Sequence, residues 1–239
     1  MGLLDLPSPI LTQIDRWLDQ VPPLAKLILW AALGAILSME IYRFLSPQRR
    51  IGQIKAALER TRNHVSRFDG EFAEAWPHIR RMLSLALRRV FIVLPATVLA
   101  SLPVLVFIIW LDGNYGGTFP PAGEPVSVAV PGAFEGRWID QGDGAPPRAE
   151  VVDPAGEPVL DVLLTTPIAV VHKRRWWNML VGNPAGYLPD EAPVERIDIA
   201  LPRQEFLPVG PRWLRGWEAT FFAALVLFAL VFKSVRRIE

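Results

Sequence analysis

The sequence predicts an α-helical membrane protein with three transmembrane helices, a cytoplasmic antiparallel helical hairpin, and an inserted small antiparallel β-sandwich-like extracytoplasmic domain. Three observations predict this class: three long apolar segments, an arginine-rich connection between the first two, and short apolar runs separated by Pro and Gly before the third. The composition agrees. Hydrophobic residues, at 51%, are more than a soluble domain needs, whereas charged residues, at 21%, are too many for a chain that lies wholly in a bilayer.

Residues 1–23 are predicted to form an interfacial amphipathic helix before the first span. Ser8 and Pro9 suit the N-cap and N1 positions, and the apolar residues that follow share one helical face, with Asp15 off it. That face consists of Ile10, Leu11, Ile14, Trp17, Leu18 and Val21. The helix would lie in the membrane interface or pack its apolar stripe on the chain's own extracytoplasmic domain, and the pattern leaves both interpretations open.

Three segments have the length of a transmembrane helix, which needs about 20 apolar residues to cross about 30 Å of hydrocarbon. They are residues 24–45, 90–111 and 213–233. The second is an uncharged run. The first carries Lys26 and Arg43 near its ends, where long cationic side chains can extend to the interface.

The third segment is recognised as a span by its flanks. Trp213 and Trp217 precede its apolar run, and basic residues follow it. The basic residues are Lys233, Arg236 and Arg237. Tryptophans and cations at the two ends of an apolar helix are typical interfacial anchors, so a short tail, residues 234–239, is expected beyond the membrane.

Eleven basic residues lie between Tyr42 and Val90, from the end of the first span to the start of the second, which predicts that this connection is cytoplasmic. Seven of them form a candidate cytoplasmic basic face: Arg49, Arg50, Lys55, Arg60, Arg62, Arg80 and Arg81. This face could bind ribosomal RNA or anionic head groups, or serve only to set the topology. The N-terminus and residues 112–212 would then lie outside and the C-terminus inside, as expected for a bacterial inner-membrane protein.

The connection itself, residues 46–89, is predicted to be an antiparallel pair of helices. A heptad pattern places Ile51, Leu58 and Val65 at a, and Ile54, Thr61 and Phe68 at d, and Asp69-Gly70 then breaks it. A second helical face leads into the second span through Phe72, Ile79, Leu83 and Leu87. Pro77 either kinks this second helix or starts it, leaving residues 71–76 as a separate turn.

Residues 112–212 contain six short apolar runs that predict five or six short strands, in a small antiparallel sandwich or barrel. The runs are residues 126–130, 134–139, 149–152, 159–164, 168–172 and 197–201. Asp153-Pro154-Ala155-Gly156 has the composition of a hairpin turn between the third and fourth.

A loop in this domain combines cations with aromatic residues and is a candidate surface for a partner or for lipid. It contains Lys173, Arg174, Arg175, Trp176, Trp177, Asn178 and Tyr187. Such side chains could lie at lipid head groups, grip a partner protein or hold an anionic glycan. Alternatively the tryptophans are core residues of the domain.

Several kinds of chemistry are excluded or unsupported. The chain has no Cys, which excludes disulfides and thiolate ligands, and its three His residues show no metal-ligand spacing. Motifs of hydrolases, zinc proteases, P-loops and dinucleotide-binding folds are missing from the sequence. We therefore expect a protein that is not an enzyme, with no catalytic residues, metal, cofactor or DNA partner.

Polar residues inside the spans are few and mark a candidate membrane groove, which comprises Ser38, Glu40, Thr97 and Ser101. Glu40 could instead pair with Arg43, three residues further on. A face of small residues on the first span, Ala31, Gly34, Ala35 and Ser38, favours close helix packing, either within the chain or against another subunit.

The order of these parts resembles the three-helix core of the YidC/Oxa/Get-type membrane insertase superfamily, which includes the insertase-like subunit of the endoplasmic reticulum membrane protein complex. Residues 24–111 carry the resemblance, especially the basic hairpin at 46–87 followed by Leu94-Pro95 and Leu102-Pro103. The resemblance implies spans that enclose a hydrophilic groove open to the cytoplasm, which shelters the polar part of an incoming segment while the bilayer is locally thinned. Here the four groove candidates above would line it.

The expected function is therefore assistance in inserting or assembling membrane proteins, with the hairpin facing a ribosome or client and the β-domain facing an envelope partner. A non-catalytic accessory subunit of a larger membrane complex is the alternative, and an extracytoplasmic glycan- or lipid-binding scaffold is a third. The expected partners are the lipid bilayer and other membrane proteins, as subunits or clients.

Overall fold

The computed structural model describes residues 2–67, 69–70, 72–121, 123–140, 142 and 144–236, apart from the side chains of residues 72 and 73. Its helices are α1 Ser8–Trp17, α2 Pro23–Leu45, α3 Gln48–Ser66, α4 Phe72–Tyr115, α5 Arg212–Arg215 and α6 Trp217–Arg236. Its strands are β1 Val128–Ala129, β2 Glu135–Ile139, β3 Arg148–Val152, β4 Pro158–Leu163, β5 Val170–His172 and β6 Arg196–Ile199. Short 3-10 helices occupy Leu3–Asp5 and Trp176–Met179.

Three helices are long and apolar enough to cross a membrane, namely Pro23–Leu45, Glu74–Tyr115 and Trp217–Arg236. Large apolar side chains on them are exposed, among them Phe91 at 70% and Leu230 at 62%. In water, such exposure would cost about 25 cal/mol for each Å² of apolar surface, whereas lipid accommodates it. The helices thus confirm the three predicted apolar segments and suggest that the protein associates with a membrane.

The chain divides into two compact units. The first, here called the β unit, comprises Met1–Ile28 and Leu105–Phe222, and the second, the helical unit, comprises Leu29–Val104 and Ala223–Glu239.

The helical hairpin differs in detail from the prediction. Helix α4 is one continuous helix of 44 residues with Pro77 inside it, so there is no separate turn before Pro77 among the described residues 72–76. Leu83 and Leu87 were predicted to face α3 but are 58% and 50% exposed. The α4 residues that line a cleft with Ile51 and Leu58 of α3 are instead Ala86, Arg89, Val90 and Val93.

Helices α3 and α4 nevertheless run antiparallel, as predicted. The rings of His64, late in α3, and His78, early in α4, have centroids 4.5 Å apart. At the other end, Ile51 lines a cleft with Arg89 and Val90. Ile51 and Ile54 are buried, as the heptad predicts. The heptad's Phe68, residue 71 and the side chain of Phe72 lie outside the described part.

All six predicted strands are present, within two residues of the expected positions, and they form two antiparallel three-stranded sheets ordered β1-β6-β5 and β2-β3-β4. Both sheets contribute to one hydrophobic core, formed by Val128, Ala149, Val151, Leu164, Val171, Leu188, Ala192, Val194, Ile197 and Ile199. The predicted turn between β3 and β4 is also present. The Gly156 N–H donates to the Asp153 carbonyl at 3.0 Å, and Gly156 has a φ of 87°, which glycine adopts without strain.

Within the β unit, helix α1 is bonded to the start of α2 and the end of α4 by polar contacts that the sequence pattern did not indicate. Asp15, predicted off the packing face, accepts a hydrogen bond from the Tyr115 hydroxyl at 2.6 Å and pairs with Lys26 at 3.2 Å. Lys26 also pairs with Asp19 at 3.1 Å. The Lys26 side chain is only 9% exposed and has two carboxylates within reach.

The apolar face predicted on α1 is only partly buried in the fold. Leu11 is buried, whereas Ile10 and Trp17 are 65% and 74% exposed. Trp217, predicted as an interfacial anchor, is also a buried residue and packs on Phe221 with ring centroids 5.9 Å apart. The third apolar segment is broken at Gly216, between α5 and α6.

Candidate functional site

The main candidate site is a cleft of about 430 Å³ in the helical unit, referred to below as the polar cleft. It is lined by Ser38, Met39 and Tyr42 of α2, by Thr97, Ala100, Ser101 and Val104 of α4, and by Lys233 of α6. Three of the four predicted groove residues therefore line one cleft, to which all three apolar helices contribute.

The polar cleft adjoins a second cleft of about 460 Å³ that leads into the hairpin. Tyr42 and Lys233 line both. The second cleft is otherwise formed by residues of α3 and of the adjoining part of α4: Ile51, Leu58, Ala86, Arg89, Val90 and Val93. The polar cleft thus adjoins the hairpin end of the helical unit.

The hydroxyl groups of Ser38, Thr97 and Ser101 in the polar cleft are already hydrogen-bonded to backbone carbonyls. Ser38 Oγ donates across to the Ala100 carbonyl of α4 at 2.6 Å. Thr97 Oγ1 and Ser101 Oγ donate within their own helix, to the Val93 carbonyl at 3.1 Å and the Val98 carbonyl at 2.8 Å. This bonding satisfies the hydroxyl protons and leaves oxygen lone pairs that can accept hydrogen bonds from water or from a guest segment.

Glu40 does not line the polar cleft. Its carboxylate pairs with Arg43 at 3.1 Å, which was the alternative read from the sequence, and with Arg236 of α6 at 3.2 Å. It therefore links α2 to α6. The small-residue face of α2 is likewise used inside the chain, because Ala31 and Ala35 are buried.

Sequence reasoning missed Tyr42 and Lys233. Tyr42 follows Ser38 by four residues and so lies on the same face of α2, a signal that was available in the sequence. Lys233 was read only as an interfacial anchor, because the rotation of α6 relative to the other helices cannot be obtained from a flank pattern.

The basic face is divided along the hairpin. Arg60 and Arg81 line a cleft of about 380 Å³ together with His64 and His78. The remaining members of the face are exposed or half-exposed: Arg49, Arg50, Lys55, Arg62 and Arg80.

The cation- and tryptophan-rich loop of the β unit is largely on the surface. Trp176 is 79% exposed and Trp177 is 38% exposed, so neither is a core residue. Asn178 is buried, with its side chain accepting from the Arg175 N–H at 2.7 Å and donating to the Val181 carbonyl at 3.0 Å.

The other predicted members of this loop are distributed around it. Lys173 pairs with Glu195 at 2.9 Å, and Arg174 and Arg175 are exposed. The Tyr187 hydroxyl accepts from the Asn183 N–H at 3.1 Å, which places it in the fold rather than at the surface of the loop.

Within the described residues, no group of three His, Asp or Glu side chains is arranged to hold a metal ion. Comparisons of the chain with protein-family models, curated proteins and solved structures found no match.

Proposed function

We propose that this protein is an insertase-like membrane protein that assists the insertion or assembly of other membrane proteins. One observation carries the proposal: α2, α4 and α6 together line a polar cleft on the hairpin side, with Lys233 and four hydroxyl-bearing residues, Ser38, Tyr42, Thr97 and Ser101, among otherwise apolar walls. The resemblance in the order of parts adds support.

The physical role of such a cleft follows from the cost of polar groups in lipid. A peptide group or charged side chain transferred into hydrocarbon without a partner costs several kcal/mol. A cleft that holds water and offers hydroxyl oxygens and an ammonium group lowers this cost for the polar part of a client segment. The apolar part of the client can remain in contact with lipid.

The adjoining cleft extends the proposed path toward the hairpin. Arg89 lies in its wall, and Arg60 and Arg81 lie further out on the hairpin. Cations placed along such a path would attract acidic client tails, or the phosphates of a ribosome that delivers the client. The β-domain would face an envelope partner on the opposite side.

The first prediction concerns the polar cleft. Lys233→Met removes its charge, and Thr97→Val with Ser101→Ala removes two hydroxyls without leaving a buried acceptor unpaired, since both donate to their own helix. Hydrogen bonds to charged groups contribute about 1.5–3 kcal/mol, so each variant should lower client insertion by about tenfold. The measurement is protease protection of a short-tailed single-span client in proteoliposomes that contain the full chain.

The matched control is Arg236→Met, which removes a cation from the same helix three residues beyond Lys233. Arg236 pairs with Glu40 and does not line the polar cleft. The Arg236→Met protein should therefore insert the client at close to the rate of the parent protein. If depletion of the protein leaves insertion of short-tailed clients unchanged, the proposed function is wrong.

The alternative function, an accessory subunit of a larger membrane complex, predicts a different result. Purification in mild detergent would yield a stoichiometric partner chain, whereas the insertase-like function predicts ribosomes or nascent chains. The small-residue face of α2 does not favour the subunit function, because it is buried within this chain.

The second prediction concerns orientation in the bacterial inner membrane, with the N-terminus outside and the C-terminus inside. Since the chain has no Cys, Glu59→Cys in α3 and Glu157→Cys in the β3–β4 turn each introduce a unique and exposed thiol. An impermeant maleimide added to intact spheroplasts should label residue 157 and not residue 59. The reverse pattern would contradict the charge-based orientation and the insertase-like function together.

A further inference from the structure

An exposed apolar surface in the β unit is formed by two segments that are far apart in sequence. Its members, here called the apolar rim, are Leu3, Leu6, Trp176, Met179 and Leu180, each between 49% and 79% exposed. An isolated exposed apolar side chain is ordinary, but a cluster that includes an indole at 79% exposure indicates a surface that binds a membrane or another molecule.

The two segments of the apolar rim are fixed to one another by polar contacts. The Leu4 N–H donates to the Leu180 carbonyl at 2.9 Å. The buried Asp5 carboxylate accepts from the Gly2 N–H at 2.8 Å and from the Gly182 N–H at 2.6 Å. The rim is therefore built in the folded chain, and little ordering remains to be done when it binds.

Gly2 shows how close this docking is. A Cβ atom at residue 2 would lie 2.6 Å from the backbone of Leu180 and Val181. Only glycine permits this approach of the two chains. On the other side of the rim, the buried Asn178 side chain bonds the backbone of its own loop, which holds Trp176 and Met179 outward.

The rim is bordered by positive charge. Arg174 and Arg175 are both exposed and directly precede Trp176. Their guanidinium groups form no ion pair or hydrogen bond with any residue in the described part of the chain, in contrast to Lys173, which pairs with Glu195. Indole beside unpaired cations is the side-chain chemistry of membrane–water interfaces, where anionic head groups meet the acyl boundary.

Helix α1 begins two residues after Leu6 of the rim and is bonded, within the β unit, to the ends of two apolar helices. The Trp110 indole N–H of α4 donates to Thr12 of α1 at 2.9 Å. Asp5, Thr12, Trp110 and Asn183 line one cleft of about 430 Å³. Helix α1 is also tied to α2 through the Asp15–Lys26 pair. Exposed Ile10 and Trp17 continue the apolar surface along α1.

We propose that the apolar rim, with Arg174 and Arg175, docks on the head-group interface of the bilayer that the chain's own three helices enter, and that it prefers anionic phospholipid. The rim adds a peripheral lipid contact that holds the β unit on the membrane surface. The proposal rests on contacts within the β unit and is independent of the insertase-like function.

Single-cysteine variants of the full chain test this proposal, because the natural sequence contains no Cys. Leu6→Cys, Trp176→Cys and Met179→Cys each carry a nitroxide in proteoliposomes of phosphatidylcholine with or without phosphatidylglycerol. Accessibility to oxygen and to an aqueous nickel chelate is measured by power saturation. The rim labels should be protected from nickel and accessible to oxygen, with protection increasing when phosphatidylglycerol is present.

Val159→Cys is the matched control, an apolar side chain of β4 that is 41% exposed in the same unit. Its label should remain accessible to nickel in both lipid compositions. Arg174→Gln combined with Arg175→Gln, in the Trp176→Cys background, should abolish the difference between the two compositions. Near-ultraviolet circular dichroism confirms that each variant is folded.

Two results would overturn the proposal. Rim labels as accessible to nickel as the label at residue 159 would show that water covers the rim. Protection that occurs in native membranes and disappears in protein-pure vesicles would show that a partner protein covers it. Client insertion measured on the same proteoliposomes distinguishes failure of this proposal from failure of the insertase-like function.

Discussion

Replacing Lys26 with Met should lower the free energy of unfolding by about 1.5–3 kcal/mol, because it leaves the half-buried Asp15 carboxylate without its cation. The Lys26 ammonium pairs with Asp15 and Asp19, and its side chain and that of Asp15 are only 9% and 19% exposed. Asp15 also accepts from the Tyr115 hydroxyl. Loss of the ammonium thus weakens the attachment of α1 to both α2 and α4. Thermal unfolding in mild detergent, followed by near-ultraviolet circular dichroism, measures the effect.

Two further variants separate a lost ion pair from a merely altered side chain. The double variant Lys26→Met with Asp15→Asn removes the uncompensated charge and should recover most of the lost stability. Arg137→Gln breaks an exposed pair with Glu135, whose side chains are 48% and 72% exposed, and should cost no more than about 1 kcal/mol. A Lys26→Met protein that unfolds within about 1 kcal/mol of the parent would contradict the role assigned to the pair.

The elements of the fold were largely readable from the sequence because they depend on local patterns. The length of the apolar runs predicted the three long helices. The Pro and Gly residues between short apolar runs predicted the bounds of the six strands to within two residues. Asp153 and Gly156 defined a turn from four adjacent residues. In each case the information lies within one segment of chain.

The contacts between elements were less predictable because they depend on how each helix is rotated. Leu83 and Leu87 are exposed, whereas Ala86, Arg89 and Val93 of α4 line the cleft with Ile51 of α3, a choice of face that the apolar pattern did not indicate. Asp15 was taken for a solvent-facing charge, and nothing near it in sequence indicated that Tyr115 and Lys26 would meet it.

The candidate site shows the same division. Ser38, Thr97 and Ser101 stood out as polar residues in apolar segments, and the structure brings them to one cleft. Lys233 entered that cleft only through the packing of α6. The exposure of Trp176 could not be predicted from the sequence either, because tryptophan occurs both in hydrophobic cores and on binding surfaces.

Substituting Ala for Gly136 should destabilise the β-domain by about 1–3 kcal/mol, although it adds only one methyl group. A Cβ atom at Gly136 would meet the backbone carbonyl oxygen of Val128 and lie 2.6 Å from Val128 Cγ1. Val128 belongs to β1 of one sheet and to the shared core, whereas Gly136 belongs to β2 of the other. The new methyl group must therefore separate the two sheets at this contact, and amide hydrogen exchange should accelerate in β1, β2 and β6.

Gly52→Ala is the matched control, since it adds the same methyl group to the same residue type where no heavy atom lies within 4 Å. Gly52 lies inside α3, so the substitution should stabilise the hairpin by about 0.5–1 kcal/mol through the lower conformational entropy of the unfolded chain. The two substitutions should thus change stability in opposite directions, each within its own unit. Slower or unchanged exchange in β1 and β2 of the Gly136→Ala protein would mean that the sheets can separate at no cost, and that Gly136 is not where their spacing is set.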